Sequence, residues 1–236
     1  MSTSYVFAPH QAAALPVAGS AALFPVRRVY CVGRNYAGHA REMGSDPNRE
    51  PPFFFCKPGD ADAVVAVPAG ATVELPFPPR TEDFHHECEL VVAIGKGGAN
   101  IPAADAPSHI FGYAVGLDMT RRDLQGQMKA AGRPWEIGKA FDFSAPVGSV
   151  HPAASVPGIG NAAIALQVDG AVKQSGHVAD MIWSIAETIA NLSTLFTLQP
   201  GDLIFTGTPE GVGAVQRGQL LTAHVDGLTD IAVRYV

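Results

Sequence analysis

Two carboxylates stand one residue apart inside an otherwise apolar run, Phe84-His85-His86-Glu87-Cys88-Glu89-Leu90-Val91-Val92-Ala93-Ile94. The β-branched content reads as a strand. Strand side chains alternate between faces, so Glu87 and Glu89 are expected on one side, about 7 Å apart at roughly 3.3 Å rise per residue. Two carboxylates held there repel each other and lose hydration unless a cation sits between them, and a hard divalent ion with oxygen ligands answers that need. A solvated Glu pair on an exposed face gives the same spacing.

Other residues extend that chemistry. Asp118 ends the apolar run Ile110 to Leu117, where a strand gives way to a helix, and ligand residues collect at such ends; it could equally terminate the strand or cap the turn. Three carboxylates with water make an all-oxygen site suited to Mg²⁺, Mn²⁺ or Ca²⁺ rather than zinc. His39 and Glu42 lie three apart on a short helix, where the carboxylate can hold a neutral imidazole as a general base, or form an exposed ion pair. The helix entry, Gly33-Arg34-Asn35-Tyr36, adds a guanidinium and a phenol. Lys139 is a lone cation among apolar and aromatic neighbours, a setting in which lysines commonly snorkel to water. Arg122 and Gln125 could hold a substrate carboxylate or be solvated. The loop Phe205 to Gly213 has glycines but neither nucleotide signature, so Thr208 and backbone N–H groups suit a carboxylate better than a phosphate.

The elements that must position these residues are punctuated by Gly and Pro. Residues 1 to about 25 read as an extended arm, and the folded domain starts with a strand at Val26 to Gly33. Asn35 is expected to cap a helix Tyr36 to Met43, and Thr120 with Asp123 a helix reaching about Ala131. Pro134 to Phe143 reads as irregular. Phe53 to Cys56 is expected as a buried strand, Ala63 to Val67 and Thr72 to Leu75 as short strands, and Asp169-Gly170 as the turn of a hairpin after Ala162 to Val168. Apolar residues at 182, 185, 186, 189, 192 and 196 give a core-packing helix over Met181 to Phe196.

With 236 residues, 47% of them hydrophobic, the chain can bury one large core. A net charge of −6 without a Lys or Arg block argues against nucleic acid and anionic membranes as partners. Cys31, Cys56 and Cys88 are too few and too widely spaced for a disulfide framework or zinc knuckle, and are expected as buried thiols in a reducing compartment. The N-terminus lacks a basic residue before Arg27, and His10 and Pro16 interrupt any apolar core of a signal peptide. With no long apolar run either, the expected location is cytoplasmic.

The ordered series Val32-Gly33-Arg34-Asn35-Tyr36, His39-Ala40-Arg41-Glu42, Phe55-Cys56-Lys57-Pro58, His85 to Leu90, Gly112-Tyr113, Asp118 to Gln125, Lys139 and Gly201 to Pro209 resembles the fumarylacetoacetate hydrolase family from about residue 27 to the C-terminus. Within the family, the resemblance is to short bacterial fumarylpyruvate hydrolases. It implies an α+β, β-rich fold, a mixed β-roll with short helices over 26–236, usually as a homodimer. It also implies a divalent ion on Glu87, Glu89 and Asp118, a water-activating dyad His39 and Glu42, an active-site Lys139, and substrate contacts at Arg34, Tyr36, Lys57, Arg122, Gln125 and Thr208. The chain departs from many relatives after Pro58, having Gly59-Asp60-Ala61-Asp62 where they have serines. The implied substrate is a β-diketo acid cleaved at a carbon–carbon bond, such as fumarylpyruvate. Relatives that cleave other acylpyruvates, decarboxylate oxaloacetate or isomerise a hydroxydienedioate share the chelated pyruvoyl group, and a non-enzymatic metal-stabilised scaffold binding a small acid is the alternative of another class.

Overall fold

The computed structural model describes residues 4–8, 10, 12–44 and 50–236. Its centre is a mixed sheet in the order Phe53–Lys57, Val29–Gly33, Leu203–Phe205, Cys88–Ile94, Ile110–Leu117, Ala145–Val147, Val64–Ala66, with His151–Pro152 also paired to Ile110–Leu117. Leu203 to Phe205 runs parallel to Val29 to Cys31 and antiparallel to Val91 to Ala93, which places the loop after Phe205 beside the turn after Gly33. A second, five-stranded sheet has the order Ala171–His177, Ala163–Val168, Leu220–Val225, Ile231–Tyr235, Thr72–Leu75. Among the described residues, no helix is long and apolar enough to cross a membrane.

The strand Cys88–Ile94 is buried along its whole length because both of its faces are covered. Leu90, Val92 and Ile94 face a core shared with Ile164, Leu166, Leu221, Ala223 and Val233 of the five-stranded sheet. Val91 and Ala93 face a second core with Val29, Ala114, Leu203, Phe205, Leu15 and Phe24. The last two come from the stretch expected as an extended arm. It forms instead an antiparallel hairpin of Ala14–Pro16 with Leu23–Pro25, because alternate apolar side chains at 13, 15, 24 and 26 close the exposed side of the large sheet.

Other expectations are met or corrected locally. Asp169 and Gly170 both adopt positive φ, 49° and 81°, as the tight hairpin between Ala163–Val168 and Ala171–His177 requires. The core-packing helix spans Ile185–Leu195 and is capped by Ser184 with Glu187. The short helix Ala37–Glu42 has no side-chain cap. Asn35 acts over a longer range, donating from Nδ2 to the carbonyls of Trp183 and Thr206 at 2.9 and 2.8 Å. The helix Arg122–Ala130 likewise lacks a side-chain cap, since Asp123 takes hydrogen bonds from Thr81, Glu82 and Leu124. Phe53–Lys57 is an edge strand rather than a buried one, and Cys56 on it is exposed.

Leu15 has no exposed surface, and truncating a buried leucine costs about 2–5 kcal/mol. Leu15→Ala should therefore lower the unfolding free energy in urea by that amount, whereas an arm lying outside the core would leave it within about 0.5 kcal/mol of the parent.

Candidate active site

The carboxylates converge at a break in the central sheet. Glu87 is not part of one continuous strand: it separates Phe84–His86, paired in a small three-stranded sheet, from Cys88–Ile94. The break lets the Glu87 carbonyl accept a hydrogen bond from the Asp118 amide at 2.9 Å, which fixes the end of the neighbouring strand against it. Glu87, Glu89 and Asp118 are all buried, and one oxygen from each lies within 4.8 Å of the others. Burial, reinforced by Asp118 and Glu87, pushes the Glu89 carboxyl well above the usual carboxylate range. Its Oε2 accepts one compensating bond from the Gly207 amide at 2.7 Å. Gly207 has φ +97°, and a Cβ there would approach Asn35 Cβ to 2.7 Å, so a glycine is needed to present that N–H.

Cations surround the other two carboxylates. Lys139 Nζ bridges Glu87 Oε2 at 2.8 Å and Asp118 Oδ2 at 2.7 Å. Lys57 Nζ meets Asp118 Oδ1 at 2.8 Å, and Arg122 Nη2 meets Glu87 Oε1 at 2.5 Å. Burial by itself would raise the Glu87 carboxyl, but Lys139 and Arg122 outweigh it and hold the group well below the usual range. Burial likewise opposes the charge on Lys139, yet Asp118 and Glu87 raise its pKa above the ordinary lysine value. Lys139 is carried on a one-turn helix, Glu136–Lys139, in the segment read as irregular. Gly138 lets that turn close on the Arg122–Ala130 helix, because a Cβ would come within 2.8 Å of the Gln125 amide nitrogen. His85 supports Arg122 from behind: its Nε2 lies 2.7 Å from Asp83 and its Nδ1 accepts from Arg122 Nε at 3.4 Å. His86 turns to Gln174 Oε1 at 3.1 Å, and burial lowers its pKa to about 4.

His39 and Glu42 share one face of their helix, with Nδ1 and Oε2 3.4 Å apart. The Gly211 amide donates to both Glu42 oxygens at 3.2 Å, tying the 205–213 loop to the dyad. Burial lowers the His39 pKa, with Arg122 acting in the same direction against Glu87 and Glu42. The imidazole is therefore neutral at pH 7, and with Nδ1 turned to Glu42 its Nε2 is free to accept a proton.

One cleft brings together Arg34, His39, Glu87, Glu89, Arg122, Gln125, Lys139 and Thr208. Arg122 Nη1 donates to Gln125 Oε1 at 2.6 Å, so these two act as a pair. The Thr208 hydroxyl donates to the Cys88 carbonyl at 2.7 Å and accepts from Gln174 Nε2 at 2.8 Å, which leaves it to shape the wall. Tyr36 and Lys57 are not on the cleft wall. The Tyr36 hydroxyl is buried and without a hydrogen-bond partner among the described residues, and Lys57 is buried against Asp118, donating also to the Met119 and Lys139 carbonyls. The Gly59 to Asp62 departure forms a local turn in which Asp60 accepts from the Asp62 and Ala63 amides. Sequence reasoning missed Lys129 and the aromatic pair Phe55 and Trp135 on the outer wall, and Gln174, whose side chain joins His86, the Cys88 amide, Thr208 and Pro209. An exposed lysine and a glutamine on a polar strand give no signal in one sequence.

The family model described as fumarylacetoacetate (FAA) hydrolase C-terminal matches residues 28–236. The chain belongs to the fumarylacetoacetate hydrolase family. It is thus an enzyme, a hydrolase acting on carbon–carbon bonds. A fumarylpyruvate hydrolase of Ralstonia sp is 46% identical over 188 residues, 80% of this chain and 94% of that protein. A mitochondrial oxaloacetate tautomerase of Arabidopsis thaliana is 43% identical over 204 residues, 86% of this chain and 88% of its own length. The crystal structure of fumarylpyruvate hydrolase from Pseudomonas aeruginosa in complex with Mn²⁺ and pyruvate is 60% identical, covers 99% of both chains and superposes with a TM-score of 0.96. The expected mixed β fold with short helices matches that of these family structures. The all-oxygen donor set of Glu87, Glu89 and Asp118 fits a hard divalent cation.

Replacing His39 by Ala should lower kcat by about 10²–10⁴-fold, the usual contribution of a positioned base, while Mn²⁺ still binds. Because only the neutral imidazole accepts a proton and its pKa is depressed from 6.5, the rate of the parent enzyme should rise with pH along a limb centred below 6.5. A limb centred above that value, or unchanged kcat in the variant, would remove His39 as the base.

Proposed function

We propose that this chain hydrolyses fumarylpyruvate to fumarate and pyruvate, with Mg²⁺ or Mn²⁺ held by Glu87, Glu89 and Asp118. The observation that carries the reading is one cleft lined by His39, which pairs with Glu42, and by Glu87 and Glu89, which lie within 4.8 Å of the buried Asp118; its wall also bears Arg34 and Lys129. A divalent cation there supplies electrostatic stabilisation for negative charge growing on the 2-oxo oxygen. His39 Nε2 takes a proton from water as the water oxygen bonds to the acyl carbonyl carbon, and Glu42 steadies the imidazolium. We assign Lys139, on the cleft wall, to stabilising the developing oxyanion and to supplying the proton that the departing pyruvate carbon gains as the carbon–carbon bond breaks.

Arg34 and Lys129 are the cleft cations not engaged with the triad, and they suit the far carboxylate of a fumaryl group. A charge-assisted contact of that kind is worth about 1.5–3 kcal/mol, or roughly ten- to a hundredfold. The resemblance in sequence to oxaloacetate tautomerases supports a second reading, in which the same site enolises a shorter keto diacid without cleavage. We expect kcat/KM for fumarylpyruvate to exceed that for acetylpyruvate by about tenfold or more, with pyruvate release as the readout. Equal efficiency would favour a general acylpyruvate hydrolase, and faster enol–keto exchange of oxaloacetate than either cleavage would favour the tautomerase.

A further inference from the structure

The charges around the triad carry a consequence for how the metal binds. Both Asp118 oxygens meet ammonium groups, Oδ1 from Lys57 and Oδ2 from Lys139, and both Glu87 oxygens meet cations, Oε1 from Arg122 and Oε2 from Lys139. Three side-chain cations therefore stand against three carboxylates. An entering divalent ion finds the oxygens of Glu87 and Asp118 already facing cations, Glu89 alone having none, and adding its two charges leaves the buried site with an uncompensated positive excess. A chelating dianion cancels that excess.

Lys139 and Arg122 line the cleft, where a bound anion would meet them. Lys57 does not. Its ammonium is fully buried, donates to the Met119 and Lys139 carbonyls, lies 5.5 Å from the Phe141 ring centroid and is not among the groups that line the cleft. We propose that Lys57 is a positioning residue and a permanent buried counter-charge that weakens binding of the metal alone, so that the ion and a dianionic, enolate-like ligand bind as a pair. This rests on the metal-dependent reading above. The coupling is reciprocal, as linkage requires: the ion tightens the anion as much as the anion tightens the ion.

The test is calorimetric titration of the full-length, metal-depleted chain with Mn²⁺, with and without oxalate as the dianionic probe. Each enhancement is expressed relative to that ligand's own affinity for aqueous Mn²⁺. Lys57→Met should bind Mn²⁺ in the absence of oxalate about tenfold more tightly than the parent, as expected for removing one close like charge, and its enhancement by oxalate should shrink. Unchanged or weaker Mn²⁺ binding overturns the proposal. Should the variant not fold, the parent decides: enhancement should fall from oxalate to pyruvate to neutral pyruvamide, and equal enhancement by all of them overturns it. These outcomes are independent of turnover. Failure to cleave fumarylpyruvate would remove the substrate reading, while tighter Mn²⁺ binding in Lys57→Met would leave this inference standing.

Discussion

Three carboxylates buried within 4.8 Å of one another are the constraint around which this fold is organised. Unbalanced, such a cluster would repel and protonate. The chain meets it with cations from separate segments: Lys57 from an edge strand, Arg122 from the start of a helix and Lys139 from a one-turn helix. Each is held by local structure that has little purpose otherwise, notably the closure at Gly138 and the backing of Arg122 by His85 and Asp83.

The two-layer core gives that cluster a rigid floor. Cys88–Ile94 is covered by the five-stranded sheet on one face and by the N-terminal hairpin on the other, so Glu89 projects from a strand buried on both faces. The loop after Phe205 reaches the site because its strand lies between those of Glu89 and Gly33. That one loop gives Glu89 its N–H donor at Gly207 and fixes Glu42 through Gly211.

Much of this was legible in the sequence where chemistry and periodicity coincide. Glu87, Glu89 and Asp118 stood out as carboxylates in apolar runs, His39 and Glu42 through their helical spacing, and Asp169-Gly170 as a turn whose conformations it admits. What stayed hidden depends on contacts distant in the chain. The apolar alternation at 13, 15, 24 and 26 is interrupted by a turn and by prolines, so the hairpin read as an arm. Asn35 looked like a helix cap because its partners, Trp183 and Thr206, are about 150 and 170 residues away. Lys57 looked like a substrate contact because only the fold shows that Asp118 and two backbone carbonyls enclose it.

The central claim is that Glu87 and Asp118 are held by side-chain cations before any metal arrives. The most direct measurement is the unfolding free energy of Lys139→Met in urea, exhaustively demetallated and then with saturating Mn²⁺. Removing the ammonium that bridges Glu87 and Asp118 should cost the metal-free protein about 3–5 kcal/mol, as for other broken buried ion pairs, and Mn²⁺ should recover more stability in the variant than it adds to the parent. A metal-free variant as stable as the parent would contradict the account.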